Sequence, residues 1–191
     1  MKLLFFSVLV FGLGLVSATA GAKDWNKALD KGEILVYPQK VKGFAEPAFI
    51  VKAVIEAPPE KVWKLIANCG DYERTMQRII KADMLPMQNG KVICRVVVDM
   101  PFPYSDLTAL TAAVHREGPP AWSRHWKLIK GDFKYNTGKW VLTRWRGDSK
   151  RTLVFYRVFA KPSAWIPGWL RRSAQKRTLP NLIKHLRKLS R

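Results

Sequence analysis

The sequence predicts an α+β fold in which an antiparallel sheet is covered on one face by the closing helix, with a cavity between them. Three observations lead there. A short amphipathic helix begins at Ala57-Pro58-Pro59-Glu60, about five strand-like runs follow in succession through residues 91–160, and Pro167-Gly168-Trp169 opens a long basic helix that runs almost to Arg191. Strands joined without intervening helices pair antiparallel, because parallel pairing needs a long crossover, and a sheet with an apolar face needs a covering layer.

The elements follow in order. Residues 1–20 stand apart: Lys2 gives a short positive start, Leu3 to Val16 is almost purely apolar, and Ala18-Thr19-Ala20 places small residues where a leader is cut. Cleavage after Ala22 fits equally, since Ala20-Gly21-Ala22 has the same character, and no cysteine sits at the junction to accept a lipid. The competing reading is an uncleaved anchor, but the apolar run falls short of the ~20 residues that span a bilayer. The expected product is exported, and periplasmic if the source has two membranes. Residues 23–191 are then a single domain; 171 residues remain from Gly21 onward, with no linker, low-complexity tract or internal repeat to divide them.

Residues 24–31 read as a short helix, and 33–39 and 49–56 as strands around a turn containing Gly43 and Pro47. In the helix after Pro58, Val62, Leu65, Ile66 and Cys69 recur at the spacing of a buried stripe, with proline placed where the first turn tolerates it. Gly70 breaks it, and a second short helix is expected over 72–79. Strand segments follow at 80–86, 91–100, 106–117, 121–130, 139–146 and 151–159. They are joined by Gln88-Asn89-Gly90, Gly118-Pro119-Pro120 and Gly147-Asp148-Ser149-Lys150, all turn formers. Alternation places Trp122, Arg124, Trp126 and Leu128 on one face, and sets Trp140, Leu142 and Arg144 opposite Val141, Thr143 and Trp145. The last helix carries Leu170, Ala174, Leu179, Leu182, Ile183, Leu186 and Leu189 on one stripe. Pro180 lies inside it, so a kink or break is expected near Arg177.

Charge narrows the partners. Without Lys2 the chain keeps 33 of its 34 basic residues against 14 acidic ones, a net charge of about +19. No carboxylate follows Asp148, whereas twelve Lys and Arg residues lie between Ser149 and Arg191. Such a field attracts anions. Export removes nucleic acid as the partner and leaves anionic membrane surfaces, lipopolysaccharide or acidic wall polymers; a merely solubilising face is the plain alternative. Cys69 and Cys94 either pair in an oxidising compartment or remain two buried thiols. With no CxxC and three scattered histidines, no metal site is expected.

Several segments together resemble a known family. Ala57-Pro58-Pro59-Glu60-Lys61-Val62-Trp63 followed by Gly70-Asp71-Tyr72, Asp99-Met100-Pro101-Phe102-Pro103, Gly138-Lys139-Trp140-Val141-Leu142, Lys161-Pro162 and Ile166-Pro167-Gly168-Trp169-Leu170 are similar in their order to the START-like (SRPBCC) superfamily, in its polyketide cyclase/coenzyme Q-binding branch. The resemblance covers about Gly32 to the C-terminus. It implies a helix-grip fold, a curved antiparallel sheet wrapped around a long C-terminal helix, and a hydrophobic ligand such as a lipid, sterol, quinone or polyketide. It transfers no catalytic residue.

An enzyme would need a placed acid, base or nucleophile. His115, His125, His185 and Asp99 are the candidates, each read more simply as a surface or satisfied group, and no GxSxG, HExxH or phosphate-cradling loop is present. No cofactor is called for. A binder needs an apolar lining with a few polar handles. Met76, Met100, Phe102, Trp126, Trp140, Leu142 and Tyr156, with Leu179, Leu182 and Ile183 from the covering helix, are the expected lining, and Arg144 and Tyr156 the expected handles. Trp165, Ile166, Trp169, Arg171 and Arg172 are the expected contact with an anionic membrane, because tryptophan favours the interface and basic residues favour the headgroups. The expected function is binding, and possible transfer, of a hydrophobic ligand; the alternatives are a cyclase or aromatase acting on a bound polyketide or sterol, and an envelope adaptor that binds anionic polymers.

Overall fold

The computed structural model describes residues 24–191, and at 171–175 the backbone alone. The expected leader and both of its cleavage positions lie outside the described residues. Helix α1 (Trp25–Asp30) is started by Asp24, whose carboxylate accepts from the backbone N–H groups of Asn26 and Lys27. Strands β1 (Leu35–Gln39) and β2 (Ala48–Ile55) form a hairpin, and α2 (Pro59–Ala67) follows with its proline in the first turn, where no N–H is needed. A 3-10 turn at Cys69–Asp71 leads into the single-turn helix α3 (Tyr72–Thr75). This helix is shorter than the 72–79 expected, because Met76 is already extended and Arg78 takes a positive φ of 67° that no helix continues through.

Six consecutive strands come next: β3 (Ile79–Gln88), β4 (Lys91–Val98), β5 (Leu107–Arg116), β6 (Trp122–Gly131), β7 (Phe133–Trp145) and β8 (Asp148–Pro162). All eight strands form one antiparallel sheet in the order β1-β2-β8-β7-β6-β5-β4-β3. The hairpin turns are the tight kind that match strand twist. Asn89-Gly90 closes β3–β4, and Arg146-Gly147 closes β7–β8, with positive φ at both central residues of each. The second turn lies one residue earlier than the sequence suggested, so β8 starts at Asp148. β7 is also six residues longer than expected at its start, since the end of β8 supplies a ladder for Phe133–Gly138.

The chain returns through α4 (Gly168–Ser173), a π-turn (Ala174–Thr178) and α5 (Leu179–Leu189). Pro180 removes the N–H that a continuous helix would offer to the carbonyl at 176, and the irregular turn falls at that boundary. α5 buries Leu179, Leu182, Ile183 and Leu186 against Val51, Ala53, Ile55, Trp140, Leu142 and Val154 of the sheet and Val62, Trp63 and Ile66 of α2. Arg187 is held by β2 and the turn after α1: its guanidinium donates to the carbonyls of Val54 and Gly32. On the opposite face of the sheet α1 covers one corner, packing Ala28 and Leu29 against Leu35, Val54 and Trp145, whose indole N–H donates to Asp30 at 2.8 Å.

Candidate functional site on the concave face of the sheet

Strand register aligns the face beneath α5 in rows. Trp122, Leu142, Val154 and Ala53 form the innermost row. His115, Arg124, Trp140, Tyr156 and Val51 form the next, and Ala113, Trp126, Gly138, Val158 and Phe49 the third. Among the large side chains burial falls off along that sequence, although Ala113 and Gly138 of the third row are buried. Leu142 and Trp140 are sealed, whereas Trp126, Tyr156, Val158 and Phe49 border the core half-buried. Tyr156 lies between two indoles, stacked on Trp140 with centroids 3.9 Å apart and on Trp126 at 6.0 Å. Gly138 makes this shelf possible: a Cβ there would stand 2.4 Å from the Trp126 ring and 2.3 Å from the Arg157 carbonyl oxygen, so the indole crosses β7 only because glycine has no side chain. The Trp126 N–H donates to Asn136 Oδ1 at 3.0 Å, fixing the ring edge. Desolvation pushes the Tyr156 phenol well above its ordinary pKa.

Beside the shelf lies a polar corner. Arg124, 2% exposed, bonds through one terminal nitrogen to His115 Nε2 and through the other to Cys94 Sγ at 3.1 Å, and its guanidinium stands 5.6 Å from the centre of the Tyr72 ring. Among the described residues no carboxylate forms an ion pair with it. Burial and the neighbouring guanidinium hold the His115 pKa down at about 4, against a weaker opposing pull from Glu117. The imidazole is therefore neutral at neutral pH and accepts from Arg124. Tyr72 donates to the Ile66 carbonyl at 2.7 Å, and burial raises its pKa in spite of Arg124. Cys69 and Cys94 form a disulfide that ties the 3-10 turn to β4, which closes the alternative of two thiols. Trp63 meets His115 edge to face at 5.2 Å, and its buried indole N–H has no hydrogen-bond partner among the described residues.

At the opposite end of the sheet two loops lie side by side. The backbone N–H of Ser163 donates to the Asp132 carbonyl, while Thr108 and Asp132 exchange bonds across the strand ends. A cleft of about 410 Å³ opens between the loops, lined by Tyr104, Asp106, Asp132, Ser163 and Ile166 among others. Large apolar side chains project here: Phe102 is 97% exposed, Trp165 79% and Trp169 61%. A second cleft of about 510 Å³ lies between α2 and the β5–β6 hairpin, with Trp63, Trp122 and Glu117 in its wall. Neither cleft lies between α5 and the sheet. The hollow expected directly under the closing helix is filled by Trp140, Leu142, Leu179, Leu182 and Ile183.

The expected lining residues therefore divide. Those five pack as core, Met76, Trp126 and Tyr156 form its half-buried margin, and Met100 is half-buried just beyond β4. Phe102 stands in solvent at a loop tip rather than in a lining, because the Asp99–Asp106 loop turns it away from the sheet. Arg144, the other expected handle, is exposed to solvent close to the β7–β8 turn. Of the expected membrane contact, Trp165 and Trp169 are exposed, but Ile166 is buried in the loop cleft; the side chains of Arg171 and Arg172 lie outside the described residues. Asp99 pairs with Arg78 at 3.1 Å, His185 contacts the Arg74 carbonyl, and His125 faces Lys139 on the other side of the sheet. Arg124 is the residue that sequence reasoning passed over. Its signal was its place between Trp122 and Trp126 on one strand face. Among the described residues no three His, Cys, Asp or Glu side chains converge as metal ligands would.

The architecture has solved counterparts. A STAR-related lipid transfer protein from Xanthomonas axonopodis is 20% identical with a TM-score of 0.66, over 81% of this chain and 93% of that one. Human StAR-related lipid transfer protein 5 is 10% identical with a TM-score of 0.69, over 83% and 82% of the two chains. Zhui aromatase/cyclase from Streptomyces sp. R1128 is 11% identical with a TM-score of 0.53, over 83% and 92%. At such identities the likeness establishes the fold. No curated protein matches the chain at a significant level. The family model described as polyketide cyclase/dehydrase and lipid transport matches residues 55–187, which takes in α2, the six consecutive strands and nearly all of α5. The chain thus belongs to the polyketide cyclase/dehydrase and lipid transport family and has the START-like helix-grip fold.

Proposed function

We propose that the protein binds a hydrophobic molecule of lipid type against the concave face and docks on anionic membranes, outside the cytoplasm. The observation that carries the reading is the aromatic shelf of Trp126 and Tyr156. It continues the core on the same sheet face yet is only half covered, where a purely structural face would be sealed by the helix above it. Covering such a surface with ligand contributes about 25 cal/mol per Å² of apolar area removed from water. The exposed tryptophans at 165 and 169, together with Phe102, support docking at the loop end, and the net charge of +20 supports attraction to anionic headgroups. The apolar N-terminal run supports export, and the disulfide suits an oxidising compartment.

Purification of the mature protein under native conditions, followed by organic extraction and mass spectrometry, tests the reading. The expected result is a stoichiometric co-purifying lipid or other apolar molecule. A protein that yields none, takes none up from lipid extracts and ignores anionic liposomes would not be a carrier.

A further inference from the structure

From the buried guanidinium beside the aromatic shelf we infer that the ligand is an anionic amphiphile, whose carboxylate or phosphate head is received by Arg124 while its apolar body lies on Trp126 and Tyr156. This rests on the binding function proposed above and adds the chemical class of the head group.

A charge taken out of water is costly unless it is paired, and arginine is almost never fully buried without an acid beside it. Arg124 is 2% exposed, and its contacts are all uncharged: the imidazole of His115, the sulfur of Cys94 and the face of Tyr72. His115 adds no negative charge, and Glu117, two residues further along and in the wall of the cleft shared with Trp63 and Trp122, is exposed to solvent and, among the described residues, forms no ion pair with Arg124. Among the described residues the corner thus holds a cation without a counter-charge in a dry setting, where an anion would be bound more strongly than at the surface. The indole N–H of Trp63, buried beside His115 with no partner among the described residues, adds a further donor to the same corner.

Placement gives the cation a route to ligand. Trp126 follows Arg124 by two residues on the same strand face, a separation of about 7 Å. An amphiphile seated on the Trp126–Tyr156 shelf therefore needs only a short reach to bring its head to the guanidinium. Rigidity favours selection over adaptation: the disulfide anchors Cys94, Tyr72 is pinned to Ile66, and Arg124 is bonded on both terminal nitrogens, so the positive group waits in place.

Delipidated protein titrated with oleate, oleyl phosphate and oleyl alcohol tests this, because the three probes share one tail and differ in head charge. Both anions are expected to bind at least about tenfold more tightly than the alcohol at neutral pH. Arg124→Met should abolish that preference, bringing the three probes within about twofold of one another, Arg124→Lys should keep part of it, and the exposed Arg144→Met should keep all of it. Circular dichroism verifies the fold of each variant; should Arg124→Met not fold, the wild-type ratio and Arg124→Lys decide. Equal binding of the three probes by the wild type removes the anionic head group and leaves a hydrophobic-ligand protein. A preference that survives in Arg124→Met removes Arg124 as its origin. Binding of none of the probes overturns the proposal, and if native extracts are empty as well, the binding function falls with it.

Discussion

At the scale of single residues, His115 makes the polar corner visible in a stability measurement. Its pKa is about 4 in the folded protein against an ordinary 6.5, so between those values the unfolded chain binds a proton that the folded chain refuses. Stability must then fall as pH drops from about 6.5 through 4. The full shift corresponds to about 3 kcal/mol, and solvent screening of a half-buried ring reduces this to about 1–2 kcal/mol. Urea unfolding of the wild type and His115→Gln at pH 7, 5 and 4 checks it: the wild type should lose that much more than the variant, and parallel pH profiles would contradict the assignment. Alternation along 122–128 already set Arg124 among tryptophans, but no local pattern says whether a carboxylate will arrive from another strand. Here none does among the described residues.

Elements show the same division between local and distant causes. The stripe of Leu179, Leu182, Ile183 and Leu186 is a helical period and was legible directly, as was the break at Pro180. The first six residues of β7 were not, since Asn136 and Gly138 are poor strand formers and the segment is extended because β8 offers it a ladder. Gly138 is the point where strand and shelf depend on each other. Gly138→Ala drives a methyl group into the Trp126 ring and the Arg157 carbonyl, and overpacking of that kind costs about 1–3 kcal/mol. Thermal unfolding should show the loss, near-UV circular dichroism should show Trp126 displaced, and affinity for the co-purifying ligand should fall with it. An unchanged near-UV spectrum would mean that the indole does not depend on this glycine.

Taken whole, the molecule is polarised along its strands. One end holds the disulfide, Arg124 and the interlocked α2 and α5; the other presents Phe102, Trp165 and Trp169 to solvent on a chain with a net charge of +20. Such an end is suited to a membrane surface, where apolar insertion and headgroup attraction act together. Replacing Trp165 and Trp169 together with alanine should weaken sedimentation with anionic vesicles by about tenfold or more. Wild-type binding should also weaken as salt rises from 50 to 500 mM, on the order of the drop in screening length. Vesicle binding that ignores both changes would place docking elsewhere.

The order of helices and strands, the antiparallel pairing and the amphipathic closing helix were determined by the sequence itself, because each follows from periodicity and turn chemistry within a few residues, while the family likeness rested on the order of its motifs along the chain. Only the tertiary structure decided that the space under α5 is filled, that Phe102 and Arg144 face solvent, that Cys69 and Cys94 are joined, and that Arg124 is buried with no acid paired to it among the described residues. These depend on register and on which side chains meet across strands far apart in the chain, and alternation within one strand is blind to both.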